Sequence, residues 1–99
     1  MKLQSGNTYN GSYQDNTWKL NQGPVGERIF TRAVTFESKF AQPPKVVIGL
    51  SGLDVDGTKN NRVQVTAKNI TESGFVVEYK TWYDTVLYSV WTNWVAYGE

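Results

Sequence analysis

Gly74-Phe75-Val76-Val77-Glu78-Tyr79-Lys80-Thr81-Trp82-Tyr83-Asp84-Thr85 reads as a β-strand that runs into a short aromatic loop. Side chains of a strand alternate between the two faces of its sheet. Phe75, Val77, Tyr79 and Thr81 share one parity and form the expected core face. Val76, Glu78, Lys80 and Trp82 share the other, so Trp82 emerges on the face that carries Glu78 and Lys80. A large aromatic at a strand end, out of phase with the core, points to a contact surface.

The preceding segment is the natural partner of this strand. Arg62-Val63-Gln64-Val65-Thr66-Ala67-Lys68 alternates with Val63, Val65 and Ala67 inside, and Asn69-Ile70-Thr71-Glu72-Ser73-Gly74 supplies the turn residues of a hairpin. The apolar faces match only if residue numbers paired across the hairpin sum to an even number. A sum of 144 pairs Val65 with Tyr79, Val63 with Thr81, Ala67 with Val77, Gln64 with Lys80, Thr66 with Glu78, and Arg62 with Trp82. An arginine opposite an exposed tryptophan is either a polar-ligand site or a surface cation–π pair that decorates the sheet. The pattern leaves both open.

Composition narrows the classes of function. Ninety-nine residues make one domain, expected to span 1–99, with room for a modest two-layer core. The net charge of +1, with no basic run, argues against nucleic acid as a partner. No apolar stretch approaches membrane-spanning length, so membrane insertion is not expected. Met1 to Gly6 is too short and polar for a signal peptide, which leaves an initiator methionine or a leader already removed. There is no cysteine, hence no disulfide framework and no thiol chemistry. Four Trp, six Tyr and four Phe are many for this length, and aromatics serve both strands and binding faces.

In chain order, Gln4 to Leu20 is rich in small polar residues and reads as one or two short edge strands, with Asn10-Gly11 a hairpin-turn dipeptide. Asn21 to Glu27 is a loop, marked by Gly23, Pro24 and Gly26. Arg28 to Phe40 contains a strand centred on Ala33 to Phe36, and Pro43-Pro44 then breaks the ladder. The near-continuous apolar run Lys45 to Leu50 predicts a deeply buried strand, and Leu53 to Asn61 a polar loop. The last strand, Val86 to Ala96, sets Tyr88, Val90, Thr92 and Trp94 on one face and Leu87, Ser89, Trp91, Asn93 and Val95 on the other. Neither face is polar enough for water. The second needs a cover, and a symmetric oligomer would supply one.

Catalysis finds little support. With neither histidine nor cysteine, the usual general base, thiol nucleophile and imidazole metal ligands are absent. No carboxylate sits in an apolar run where burial would raise its pKa. Asp54-Val55-Asp56-Gly57 is a turn rather than a calcium loop, because no glutamate closes it at the required position. No cofactor or metal is expected. Asn10-Gly11-Ser12 and Asn69-Ile70-Thr71 are formal glycosylation acceptors.

Several segments together resemble the H-type lectins, the group of the snail agglutinins and the discoidin carboxy-terminal domain. They are Arg32-Ala33-Val34-Thr35-Phe36, Phe40-Ala41-Gln42-Pro43-Pro44-Lys45-Val46-Val47, Asn61-Arg62-Val63, Gly74-Phe75, Tyr79 to Thr85, and Trp94, in that order. The resemblance covers nearly the whole chain and is weakest before Arg28. It implies an all-β fold, a six-stranded antiparallel β-sandwich. It also implies a homotrimer joined through sheet faces, with galactose or N-acetylgalactosamine bound in clefts between protomers and no catalytic step. The family's sugar-contacting arginine falls on Arg62, its tryptophan on Trp82, the following residue on Tyr83, and its tyrosine on Tyr88. An aromatic for the ring face, with a guanidinium and hydroxyls for the sugar hydroxyls, suits such a ligand.

The chain departs from the snail lectins in two places. They carry a histidine where Tyr83 stands. They also use an aspartate and a glycine carbonyl from the loop before the Ala33 strand, here shorter, with Glu27 and Gly26 as the counterparts. The resemblance implies a lectin outside the cell or at its surface, whose three equivalent sites crosslink terminal galactose-type glycans in adhesion or agglutination. The alternative is a trimerisation domain of a larger protein or fibre, with sugar binding lost.

Overall fold

The computed structural model describes residues 1–22 and 25–99, and for residues 7–11 the backbone alone. Six strands follow one another without a helix among the described residues: β1 (Lys2–Ser12), β2 (Arg28–Thr35), β3 (Lys45–Val55), β4 (Gln64–Lys68), β5 (Gly74–Thr81) and β6 (Leu87–Gly98). They form two three-stranded sheets, ordered β1-β6-β3 and β2-β5-β4, and every pairing is antiparallel. The result is the six-stranded sandwich that the resemblance implied.

The parity of β5 decides what lies between the sheets. Phe75, Val77, Tyr79 and Thr81 are all buried, and they face Val90, Thr92, Trp94 and Ala96 of β6. A hydrogen bond between the Tyr79 and Thr92 hydroxyls, 3.1 Å long and buried, joins the two central strands. Burial pushes the Tyr79 phenol up, while the Thr92 bond and the charge of Arg32 pull it partly back.

Two aromatic groups fill the interior. Phe36, Phe40, Phe75 and Trp94 meet at one end, with centroids 5.1 to 5.8 Å apart. Trp18, Phe30 and Tyr79 meet at the other, with centroids 5.0 to 6.0 Å apart. Trp18 comes from the polar amino-terminal segment, yet it is fully buried and its indole N–H donates to the Leu87 carbonyl at 2.8 Å. Gly6 lies opposite Trp94 in the ladder, and a Cβ there would come within 2.8 Å of the indole. Only glycine lets β1 cross that ring.

The β4–β5 hairpin has the register read from parity, Gln64 with Lys80 through Lys68 with Val76. Asn69 takes a φ of 53° in its turn, and the Thr71 N–H donates to the Gly74 carbonyl at 2.8 Å. The ladder stops at Gln64, so the expected pairs Val63–Thr81 and Arg62–Trp82 do not form. Thr81 instead donates its hydroxyl to the Arg62 carbonyl, which turns the chain out of the sheet.

Four other expectations change. Asn10-Gly11 is not a turn, because β1 runs straight through it to Ser12, with a register shift between Thr8 and Gly11. Long-range pairing with β6 outweighs the local turn preference. The polar loop expected from Leu53 starts later, since β3 extends to Val55. β3 is also not deeply buried: it is an edge strand, and Val47 faces outward at 59% exposure. Finally, the alternation of β6 breaks at Ser89 and Val90, which are both buried, so Leu87 is core and Tyr88 is not. Gly23 and Pro24, within the loop read at 21–27, lie outside the described residues. So does the Asn10 side chain.

Trp18 carries much of one end of this core. Trp18→Ala should lower stability by about 3–5 kcal/mol, read as a lower urea midpoint with an unchanged slope.

Candidate functional site

The starts of β2 and β4 and the β5–β6 connection meet at one pole of the sandwich. There the Arg62 guanidinium donates from Nη1 to Asp84 Oδ1 and to Thr85 Oγ1, both at 2.9 Å. It also lies over the Tyr83 ring, 5.0 Å from the centroid. Nε and Nη2 make no hydrogen bond among the described residues. The group is thus held in place by one edge, with the other donors free for a ligand.

The groups that hold Arg62 are themselves held nearby. Thr85 is buried at 1% exposure and donates its hydroxyl to the Asn60 carbonyl at 2.7 Å while accepting from Arg62. The ring over which Arg62 lies is exposed, Tyr83 at 58%, and Trp82, the residue before it in the chain, is exposed at 39%. Tyr83 has a φ of 58°, a left-handed conformation that costs a non-glycine residue roughly 1–2 kcal/mol. Its carbonyl is held by the Gly26 N–H at 3.2 Å and by Arg28 Nη2 at 2.7 Å. Non-glycine residues in this region persist where the surroundings over-determine them, often at functional sites.

Arg62 and Tyr83 therefore stand together, with Trp82 next to Tyr83 in the chain, and the cation–π partner of Arg62 is Tyr83 and not Trp82. Gly26 adjoins Tyr83 through its backbone, and its φ of 145° suits glycine alone. Glu27 pairs at 3.8 Å with Lys80, which brings it to the same pole without contact to Arg62. Tyr88 is not part of this cluster. It lies in the other sheet, edge-on to Tyr13 with centroids 5.9 Å apart. Asp84, Thr85 and Arg28 complete the site, and strand parity had given no sign of them. A hollow of about 150 Å³ opens beside Tyr83, between Val25, Arg28, Lys59 and Val86. No three acidic side chains converge as a metal site would require among the described residues.

The other large surface feature is the outer face of β1-β6-β3. Leu3, Tyr97, Val95 and Val47 sit side by side across the three strands and are all exposed. A shallow groove of about 440 Å³ runs over Ser5, Val47, Gly49, Asn93 and Val95. The outer face of β2-β5-β4 is different, carrying the Lys68–Glu78 ion pair at 2.9 Å and the Lys80–Glu27 pair. No described helix is long and apolar enough to cross a membrane.

Thr85 should prove structural for the site. Thr85→Val removes the partner of the Asn60 carbonyl and of one Arg62 N–H, and should cost about 1 kcal/mol in denaturant unfolding.

Comparison with known proteins identifies the family and the fold. The H-type lectin domain family matches residues 31–97. The ATP synthase subunits region ORF 7 protein of Fuscovulum blasticum is 41% identical over 74 residues, 75% of this chain and 64% of that protein. One of the discoidin-1 subunits of Dictyostelium discoideum is 33% identical over 85 residues, 85% of this chain and 33% of that protein. The chain thus spans about two-thirds and one-third of these relatives. The solved structure of recombinant discoidin II from Dictyostelium discoideum superposes with a TM-score of 0.84 at 29% identity, over 96% of this chain and 36% of that one. By that family match and by its six-stranded sandwich, the chain belongs to the H-type lectin domain family, a family of carbohydrate-binding lectins.

Proposed function

We propose that the chain, acting as one domain over 1–99, is a non-enzymatic lectin for terminal galactose or N-acetylgalactosamine, working as a homotrimer. The observation that carries this reading is the Arg62 guanidinium, fixed on one edge by Asp84 and Thr85 over the exposed ring of Tyr83, which follows the exposed Trp82 in the chain. A sugar needs an apolar surface for one ring face and fixed donors for its hydroxyls. Trp82 offers the first, and Nε and Nη2 of Arg62 the second. Tyr83 closes one side, with Gly26 and Glu27 at the rim.

Tyr88 enters from a neighbouring protomer in this reading, which agrees with its distance from the cluster within one chain. The apolar outer face of β1-β6-β3 is the face that a trimer would cover, because burying Leu3, Val47, Val95 and Tyr97 removes apolar surface from water. Three sites on one particle raise avidity by about 10²–10⁴ over a single site, enough to crosslink surface glycans. The expected place of action is therefore outside the cell or on its surface. Calcium has no role in the site.

A glycan array at neutral pH tests the reading. Selective binding to terminal galactose or N-acetylgalactosamine, unaffected by chelator, is expected. Trp82→Ala should fold and assemble normally and lose at least about tenfold in affinity, since aromatic stacking contributes on the order of 1–3 kcal/mol. Retained binding in that variant would remove Trp82 from the site. Silence across the array for the wild type would favour an assembly domain without sugar binding. Val47→Glu places a charge on the proposed interface and should give monomers in sedimentation velocity; an intact trimer would move the interface elsewhere.

A further inference from the structure

We propose that Arg28 is the positioning residue of the sugar site: it holds the Tyr83 backbone in its left-handed conformation and so sets the Tyr83 ring against Arg62. The proposal rests on the sugar-binding reading above. Arg28 opens β2 directly across from Thr81, the last residue of β5, so its side chain extends over the point where the chain leaves the sheet. Among the described residues the guanidinium makes four hydrogen bonds, all to backbone carbonyls. Nε donates to Gly26 at 3.0 Å, Nη1 to Leu20 at 3.1 Å and to Gln22 at 3.0 Å, and Nη2 to Tyr83 at 2.7 Å.

Three of these acceptors belong to the segment before β2, and the fourth is the strained residue of the site loop. One planar cation therefore clips two loops together. Partial burial lowers the Arg28 pKa, the charge of nearby Asp84 works against this, and the side chain stays a cation throughout. An ammonium cannot replace it, since its three donors radiate from a single nitrogen and cannot span four acceptors set around a fork.

From Tyr83 the linkage continues through the ring. Arg62 rests on that ring at 5.0 Å and is tied beyond it to Asp84 and Thr85. If the Tyr83 carbonyl loses its charged donor, the Gly26 N–H at 3.2 Å is the remaining tether against the backbone strain. The ring then leaves its place, and Arg62 loses one of the surfaces that orient it. Arg28 touches no sugar; it acts through Tyr83.

Arg28→Lys in the full chain tests this with two readouts. The δ-protons of Arg62, shifted upfield in the NMR spectrum by the Tyr83 ring current, should move toward random-coil positions while the sheet amides keep theirs. Galactose affinity should fall on the order of tenfold. Unmoved Arg62 signals overturn the proposal, and so does unchanged affinity when the signals do move. A wild-type protein that binds no sugar sinks the lectin reading instead, and the Arg62 signals still decide the positioning role. If Arg28→Lys does not fold, adding Tyr83→Gly, which relieves the left-handed backbone, should restore folding; a double variant that stays unfolded overturns the proposal.

Discussion

Thr81 and Leu87 are both fully buried and belong to different sheets, and the five residues Trp82 to Val86 must carry the chain between them. β5 and β6 are the middle strands of their sheets, so this crossing passes from the centre of one layer to the centre of the other. So short a path leaves no room for a relaxed loop. Tyr83 takes up the turn in a left-handed conformation, and Thr85 is drawn inside to satisfy the Asn60 carbonyl. Trp82 and Tyr83 are left outside. Each hydrogen bond on the Tyr83 carbonyl is worth about 1 kcal/mol net, more from a charged donor, which offsets a strain of similar size.

What the sequence disclosed follows the same division between regular and irregular backbone. Parity placed the core face of β5 and the register of β4, because a slip by one residue would turn every apolar side chain outward. It also placed Arg62 and Trp82 on the same pole. It could not place their contact, because the ladder ends at Gln64 and Arg62 then follows the loop toward Asp84. Arg28 was silent for a related reason. A side chain that binds backbone carbonyls leaves no pattern in the residue types of its partners. Trp18 and the Asn10-Gly11 pair show the opposite failure, where local polarity and turn preference gave way to pairing with a strand from the far end of the chain.

The two outer faces of the sandwich are chemically unlike. β2-β5-β4 presents Glu78, Lys68 and Lys80, paired with one another and with Glu27. β1-β6-β3 presents leucine, valine and tyrosine. Aggregation through both faces would build open stacks of sheets. With one charged face and one apolar face, association can end in a closed ring, and the arginine–aromatic pole lies at the end of the sandwich rather than beneath either layer.

β1 and β6 are neighbours along their full length, with Lys2 opposite Gly98, and β6 begins at the crossing that bears Trp82. The two ends of the chain therefore emerge side by side at the far pole of a body 45 Å long, where the amino terminus comes within 3.9 Å of the Glu99 carboxylate. Cargo spliced onto either end would hang at the pole opposite Arg62 and Tyr83 and leave that pole clear, and a linker closing the ends into a circle would need to bridge almost no gap.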